Sequence, residues 1–87
     1  MPRVFIPALL RAVTGGCAEV EAVGATVREI LADLETQFPG LQERLLDQGR
    51  LRHGVSVAID GEITPMGLIE HVAAGSEVHF VTAIRGG

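Results

Sequence analysis

The alternation of apolar and polar positions predicts a chain that begins with two strands. Residues 4–6 form a short β-branched and aromatic run that Pro7 closes, and residues 19–22 alternate as in a half-buried strand. Glycine reaches positive φ at little cost, so residues 14–16, Thr-Gly-Gly, supply a turn between them. The two strands are therefore predicted to form a hairpin with a long connection. Three apolar residues of that connection are expected to pack back on the hairpin: Leu9, Leu10 and Val13.

One long amphipathic helix is predicted next. Thr26 and Glu29 have the spacing of a capping box, in which each side chain satisfies a backbone N–H at the helix start. An apolar stripe follows at helical spacing: Val27, Ile30, Leu31, Leu34 and Phe38. The polar positions between them, including Glu29 and Asp33, are expected to face water. The Pro-Gly pair at 39–40 ends the helix, and residues 41–46 are predicted to add a short helical turn.

Two short strands are predicted in the second half of the chain. Val, Val and Ile alternate with smaller or polar residues over 55–59, and the Asp-Gly pair at 60–61 is a strong signal for a tight hairpin. The return strand over 62–64 ends at Pro65. This segment therefore contributes a second hairpin to the sheet.

The last predicted strand runs from Glu77 to about Ala83, with Val78 and Phe80 inward and His79 and Val81 outward. The order of elements is then β, β, α, short helix, β, β, β. One helix is available to cover one face of one sheet. The sequence thus predicts an α+β fold, a mixed sheet of four to five strands covered on one face by one main helix.

Composition narrows the class of function. The chain has 87 residues, 47% of them apolar and only 3% aromatic, and its net charge is −4. All seven basic residues are arginine. An acidic chain with few aromatic residues is not expected to bind nucleic acid, and a domain this small leaves little room for an enclosed active site. We therefore expect no catalysis by this chain itself.

The apolar stretches, the single cysteine and the three histidines are not expected to provide a membrane segment, a reactive thiol or a metal site. No apolar stretch is long enough to span a membrane or to act as a secretory signal, which predicts a cytoplasmic protein without a membrane partner. Cys17 is interpreted as a small, unreactive residue because no basic neighbour is evident to lower its pKa. The histidines have no familiar metal-ligand spacing, so no metal site is predicted: His53, His71 and His79.

The sharpest feature is the end of the sequence. We predict one folded domain over 1–83 and a flexible tail over 84–87 that ends in Gly-Gly. Four residues span at most about 13 Å, and glycines let such a thread enter a channel too narrow for any Cβ. The terminal carboxylate is ionised and a poor electrophile, so it must be activated before it reacts. The chain has no nucleotide-binding motif, and another enzyme must therefore act on it.

The chain resembles the MoaD/ThiS sulfur-carrier family, whose members are ubiquitin-like β-grasp proteins with a C-terminal Gly-Gly. The resemblance covers nearly the whole chain and lies in the order and spacing of several segments. These segments are PALLRAVTGG at 7–16, FPGLQERLLD at 38–47, VAIDGE at 57–62, AAGSEV at 73–78 and the final Gly-Gly. It implies a ubiquitin-like β-grasp fold and a carrier function for this chain.

The resemblance also implies the chemistry of the tail. Gly87 would be adenylated and then converted to a thiocarboxylate that donates sulfur in the synthesis of a cofactor, cysteine or a thiolated metabolite. Gly86 and Arg85 would thread the tail into the partner's site. The ATP is used by the activating enzyme, and no cofactor is bound by this chain. Arg85 departs from the small or apolar residue of the molybdopterin branch and is similar to the Leu-Arg-Gly-Gly ending of ubiquitin.

Docking to partners is implied at an apolar patch beside the tail, formed by Val81, Ile84 and Pro7. The expected partners are a ubiquitin-activating-like adenylating enzyme, a sulfur donor such as a cysteine desulfurase or rhodanese-like protein, and a sulfur-accepting biosynthetic enzyme. Val81 is equally consistent with simple packing at the sheet surface. Glu29 and Asp33 have two interpretations: solubility, or contact with a basic surface of the activating enzyme.

Three other functions stay open at this point. The chain is consistent with the small subunit of molybdopterin synthase, whose tail would insert into a larger catalytic subunit. It is also consistent with a ubiquitin-like modifier conjugated to lysine side chains through Gly87. The third alternative is an interaction domain with an idle tail.

Overall fold

A five-stranded mixed sheet with one long helix on one face dominates the computed structural model, which describes residues 1–82. The strands of this sheet are β1 (Arg3–Phe5), β2 (Glu19–Glu21), β5 (Val55–Ile59), β6 (Glu62–Ile63) and β7 (Glu77–Thr82). The helices are α1 (Val27–Gln37) and α2 (Leu41–Leu45), and a small hairpin consists of β3 (Leu46–Asp47) and β4 (Arg50–Leu51). The predicted strand end at Ala83 and the predicted tail over 84–87 lie outside the described residues.

The strand order is β2-β1-β7-β5-β6. β1 and β7 are parallel, with Val4 opposite Val78, whereas β2, β5 and β6 pair antiparallel with their neighbours. β7 therefore lies at the centre of the sheet, between the first strand of the chain and β5. This arrangement confirms the predicted α+β class, with a mixed sheet and one main helix.

Helix α1 begins and ends where the local pattern predicts. Thr26 Oγ1 accepts a hydrogen bond from Glu29 N at 3.3 Å, and Glu29 Oε1 accepts one from Ala25 N at 2.8 Å. Thr26 and Glu29 thus each satisfy one backbone N–H, at the first turn of the helix and just before it. Four of the five predicted stripe residues are buried, and Phe38 is half-buried at the end of the helix. The stripe covers the sheet and forms the core together with inward residues of three strands, β1, β5 and β7: Val4, Val57, Val78 and Phe80.

The corner between α1 and α2 is held by a carboxylate that the helical pattern had placed in water. Glu35 accepts hydrogen bonds from Gly40 N at 3.0 Å and from Gln42 N at 2.9 Å. These backbone donors hold the pKa of Glu35 below its usual value because they stabilise the ionised form. The side chain therefore positions the chain reversal as well as contributing charge.

The predicted Asp-Gly hairpin is confirmed between β5 and β6. Asp60 and Gly61 have φ of 50° and 89°, as a type I′ turn requires. The Asp60 carboxylate also accepts hydrogen bonds from Glu77 N and from Ser76 Oγ, both at 2.9 Å. These two bonds, first Glu77 N and then Ser76, lower the pKa of Asp60. The turn is thereby tied to the start of β7.

The structure corrects several details of the connections. Leu10 is buried and Val13 half-buried, but Leu9 is 73% exposed and does not pack on the hairpin as predicted. Residues 8–10 form a 3₁₀ helix, so successive side chains point in different directions and Leu9 faces outward. The β3–β4 hairpin was not predicted, because two-residue strands are too short to show alternation. Its turn uses positive φ at Gln48 and Gly49.

Within residues 1–82, neither α-helix has the length and apolar character that crossing a membrane requires.

Candidate docking face and tail base

The end of β7 is the structural base of the predicted tail. Thr82 pairs with Val55 of β5, and β1 flanks β7 on the other side through the Phe5–His79 pair. Pairing with β5 holds Thr82 in place, whereas the pairing with β1 ends at His79, three residues earlier. The predicted covalent and threading residues, Arg85, Gly86 and Gly87, and the predicted docking residue Ile84 lie outside the described part of the chain.

The face of the sheet opposite α1, here called the outer face, carries a row of apolar and aromatic side chains. Register places Phe5 beside His79, His79 beside Ala58, and Ala58 beside Ile63. Residues in register share a face of the pleated sheet, so this row crosses four strands. Val81 lies two positions further along β7 on the same face and is 45% exposed. Ile63 and Val81 are exposed, Phe5 and His79 are half-buried, and Ala58 is covered by its neighbours, so the row forms a largely apolar surface next to the tail base.

Two of the three predicted docking residues are brought together by the fold. Pro7 and Val81 line the same shallow depression, with Arg11 and Thr82 in its wall, and its volume is about 400 Å³. Arg11 is fixed there because its Nε donates to the backbone oxygen of Ile6 at 3.1 Å. The depression therefore joins the outer face to the tail base.

Phe5 and His79 are the aromatic members of the surface, and neither was among the predicted docking residues. Their rings stack with centroids 4.1 Å apart and an interplanar angle of 5°. The signal for Phe5 was its position between two inward residues, Val4 and Ile6, which places it on the opposite face. His79 was predicted to point outward, and it is half-buried because Phe5 covers one side of its ring.

Asp33 of α1 has a structural role that its place on the polar side of the helix did not indicate. Asp33 Oδ2 accepts hydrogen bonds from Val23 N at 3.0 Å and from Gln37 Nε2 at 2.9 Å. Gln37 Nε2 also donates to Glu21 O at 2.8 Å. This cluster, which we call the helix–edge clip, covers backbone groups at the outer edge of β2. Asp33 is therefore engaged within the fold, and the expectation that it simply faces water is wrong.

The remaining candidates carry no assembled site among the described residues. Cys17 is exposed. His71 lies on an isolated bridge to Thr26. Within residues 1–82, no three His, Cys, Asp or Glu side chains are grouped so that they could hold a metal ion. The described site is a largely apolar surface of the sheet with the base of the predicted tail at its border.

Comparison with known proteins gives this surface a family context. The model of the ThiS family matches residues 4–87. Sulfur carrier protein CysO of Mycobacterium tuberculosis (strain H37Rv) is 36% identical over 89 residues, which cover 97% of this chain and 96% of the relative. Such coverage means that the similarity includes the strands, the helix and the last residues.

Solved structures agree with this assignment. A chain of the Amycolatopsis orientalis BexX/CysO complex superposes with a TM-score of 0.94 at 36% identity, covering 100% of both chains. Crystalline CysO of Mycobacterium tuberculosis gives 0.90 at 34% identity, over 97% of this chain and 100% of the other. SAMP1 of Haloferax volcanii gives 0.79 at 30% identity, over 99% and 98%. These similarities confirm the predicted ubiquitin-like β-grasp fold and the predicted family, and the relatives named CysO are carriers rather than enzymes. The chain belongs to the ThiS family.

Proposed function

We propose that this protein is a sulfur carrier that holds sulfur as a thiocarboxylate on Gly87, the last residue of its sequence. The observation that carries the proposal is the similarity of nearly the whole chain to sulfur carrier protein CysO. The match to the ThiS family model, which extends to Gly87, supports the same role for the Gly-Gly ending. The protein is then a substrate of other enzymes and not a catalyst.

The chemistry of the carrier follows from the state of its carboxyl group. A carboxylate oxygen of Gly87 attacks the α-phosphorus of ATP, and the bond to pyrophosphate breaks, which leaves an acyl-adenylate. Hydrosulfide, released from the donor's persulfide by a thiol reductant that is oxidised to a disulfide, then attacks the acyl carbon, and AMP departs with one of the original carboxylate oxygens. Sulfur replaces that oxygen without any net oxidation or reduction of the acyl carbon. ATP binds to the adenylating enzyme, and this chain contributes only the reacting terminus.

The described structure supports a docking role for the outer face in this cycle. Val81 and Pro7 lie beside the tail base, and Phe5 and His79 extend the surface across β1 and β7. Burial of apolar area is the main attraction between proteins but has little direction. A partner that covers this face would hold the carrier while Ile84, Arg85 and Gly86 lead Gly87 toward its catalytic centre.

The cycle implies three kinds of partner. They are a ubiquitin-activating-like adenylating enzyme, a sulfur donor such as a cysteine desulfurase or rhodanese-like protein, and an enzyme that accepts the sulfur. The solved BexX/CysO complex supports stable contact between such a carrier and another protein. Because the activation consumes ATP, we place the cycle in the cytoplasm.

Intact-mass spectrometry tests the proposal. The protein is incubated with its adenylating enzyme, ATP, Mg²⁺ and sulfide, and we expect the mass increase of one oxygen-to-sulfur exchange, located at Gly87 by fragmentation. Omission of ATP should abolish the exchange. Unchanged mass in the complete reaction would refute the carrier function.

A pair of glycine variants separates tail chemistry from folding. Gly86→Val should prevent the exchange, because the added side chain blocks a channel shaped for glycine. Gly75→Val adds the same side chain at an exposed turn where no atom lies within 4 Å of a new Cβ, and φ there is not positive. This control should react like the wild type. Both variants should keep the wild-type melting temperature.

Conjugation to proteins is a second candidate function, favoured by the similarity to small archaeal modifier protein 1 of Haloferax volcanii, at 28% identity and a TM-score of 0.77. The same acyl-adenylate would then react with a lysine amine of a target. Because the chain contains no lysine, conjugates would be single additions and not chains through its own side chains. Remnants of the C-terminus on lysines of cellular proteins would support this function, and thiocarboxylate without any conjugate would refute it.

A further inference from the structure

Three carboxylates surround one arginine at the end of the outer face where β7 begins. Arg3 is in register with Glu21 on one side and with Glu77 on the other. Its guanidinium pairs with Glu19 at 3.1 Å and with Glu77 at 2.5 Å. Three negative charges against one positive charge leave this group, here called the acidic corner, with two negative charges.

The acidic corner remains accessible and is continuous with the docking surface. The side chains of Glu19 and Glu77 are 43% and 41% exposed despite their contact with Arg3. Glu21 is exposed and forms no ion pair with any residue between 1 and 82. Glu19 is in register with Phe5, and Glu77 precedes His79 by two positions on the same face. One partner surface can therefore cover the apolar row and reach these carboxylates.

The charge at the other end of β7 has the opposite sign. Arg11 lines the depression that contains Val81 and Thr82. The five residue steps from Glu77 to Thr82 span about 17 Å. The docking surface is thus negative where β7 begins and positive where the tail base lies, and its polarity runs along the strand that leads into the tail.

We propose that the acidic corner orients the carrier on its adenylating enzyme, which presents arginine or lysine side chains beside its apolar docking site. The inference rests on the function proposed above. Apolar contact alone permits several rotations about the normal of the outer face, and a half-turn would direct the tail base away from the catalytic centre. Opposite charges lower the energy of one rotation and raise that of the reversed one, in which Arg11 would face the basic side chains.

Glu21 provides the cleanest test, because reversing the charge of its side chain breaks no ion pair within residues 1–82. Glu21→Arg is compared with Glu43→Arg, which makes the same change in net charge at an exposed position of α2. Stopped-flow measurement with the adenylating enzyme should show association slowed on the order of tenfold for Glu21→Arg at low salt. Glu43→Arg should stay within about twofold of the wild type. Both rates should converge near 1 M salt, where the Debye length is about 3 Å.

The outcomes distinguish this inference from the carrier function. Equal association rates for wild type and Glu21→Arg would refute the orienting role, and so would equal slowing by Glu21→Arg and Glu43→Arg, which would mean steering by net charge alone. In both cases the wild type still forms thiocarboxylate. Absence of thiocarboxylate from the wild type would instead refute the proposed function. Circular dichroism and melting curves verify that both variants are folded.

Discussion

The imidazole ring of His79 lies parallel to the phenyl ring of Phe5, with the two centroids 4.1 Å apart. The residues are in register on parallel strands from opposite ends of the chain. The stack therefore joins the first strand to the last one on the face that we propose for docking. It also keeps a titratable side chain half-covered at the centre of that face.

The stack should make a measurable contribution to stability. A double-mutant cycle with Phe5→Leu and His79→Leu should give a coupling energy of about 0.5–1.5 kcal/mol, the range found for stacked aromatic pairs. Urea unfolding at neutral pH is the measurement. Additive effects of the two substitutions would contradict an energetic role for the stack.

Val81 should govern partner binding without affecting the fold. Val81→Arg places a charge in the proposed interface, and we expect the dissociation constant for the adenylating enzyme to rise at least tenfold. Ile69→Arg is the control, because Ile69 is also a β-branched aliphatic residue, is 58% exposed and lies outside the outer face. Titration calorimetry should show wild-type affinity for the control. Loss of affinity in both variants would contradict the assignment of the docking face.

Gly24 should be intolerant of any side chain. A Cβ at this position would lie 2.7 Å from Ile30 N and 2.8 Å from Glu29 Cβ, so the first turn of α1 would have to move. We expect Gly24→Ala to destabilise the fold by about 1–3 kcal/mol in chemical denaturation. Gly75→Ala, where the same atom meets open space, should change stability little. A Gly24→Ala variant as stable as wild type would disprove this close approach.

The helix–edge clip should protect the edge of β2. Asp33→Ala removes the acceptor of Val23 N and frees Gln37. We expect a loss of about 1 kcal/mol in stability and faster hydrogen exchange of the Val23 amide. Arg28→Ala, an exposed change on the same helix, is the control. Unchanged exchange at Val23 would show that the clip does not persist in solution.

Stability should depend on pH through Asp60. Its carboxylate accepts hydrogen bonds from Glu77 N and Ser76 Oγ, so its pKa is lowered in the folded protein. The ionised group therefore stabilises the fold above its unfolded pKa, about 3.9, and this contribution is lost as the pH falls through the lower folded pKa. The stability difference between wild type and Asp60→Asn should shrink as the pH decreases below about 4. Asparagine also tolerates positive φ, so the turn is kept. A difference that does not vary with pH would contradict the assigned role.

The sequence by itself determined the elements whose signals are local. Thr26 and Glu29 predicted the start of α1 because capping depends on residues three positions apart. Asp60 and Gly61 predicted the β5–β6 hairpin because a type I′ turn requires positive φ at two adjacent residues. The order of these elements and the Gly-Gly ending identified the family, which the comparisons confirmed.

Only the tertiary structure decided which surfaces these elements form together. Arg3 and Glu77 are 74 residues apart in the chain, and their contact depends on the parallel register of β1 and β7. The Phe5–His79 stack has the same origin. Leu9 was predicted to be inside and lies outside, because the 3₁₀ helix at 8–10 changes its direction. Alternation of apolar and polar residues indicates which face of a strand each residue occupies. The neighbours of that residue on adjacent strands depend on pairing between distant segments, which is a property of the whole fold.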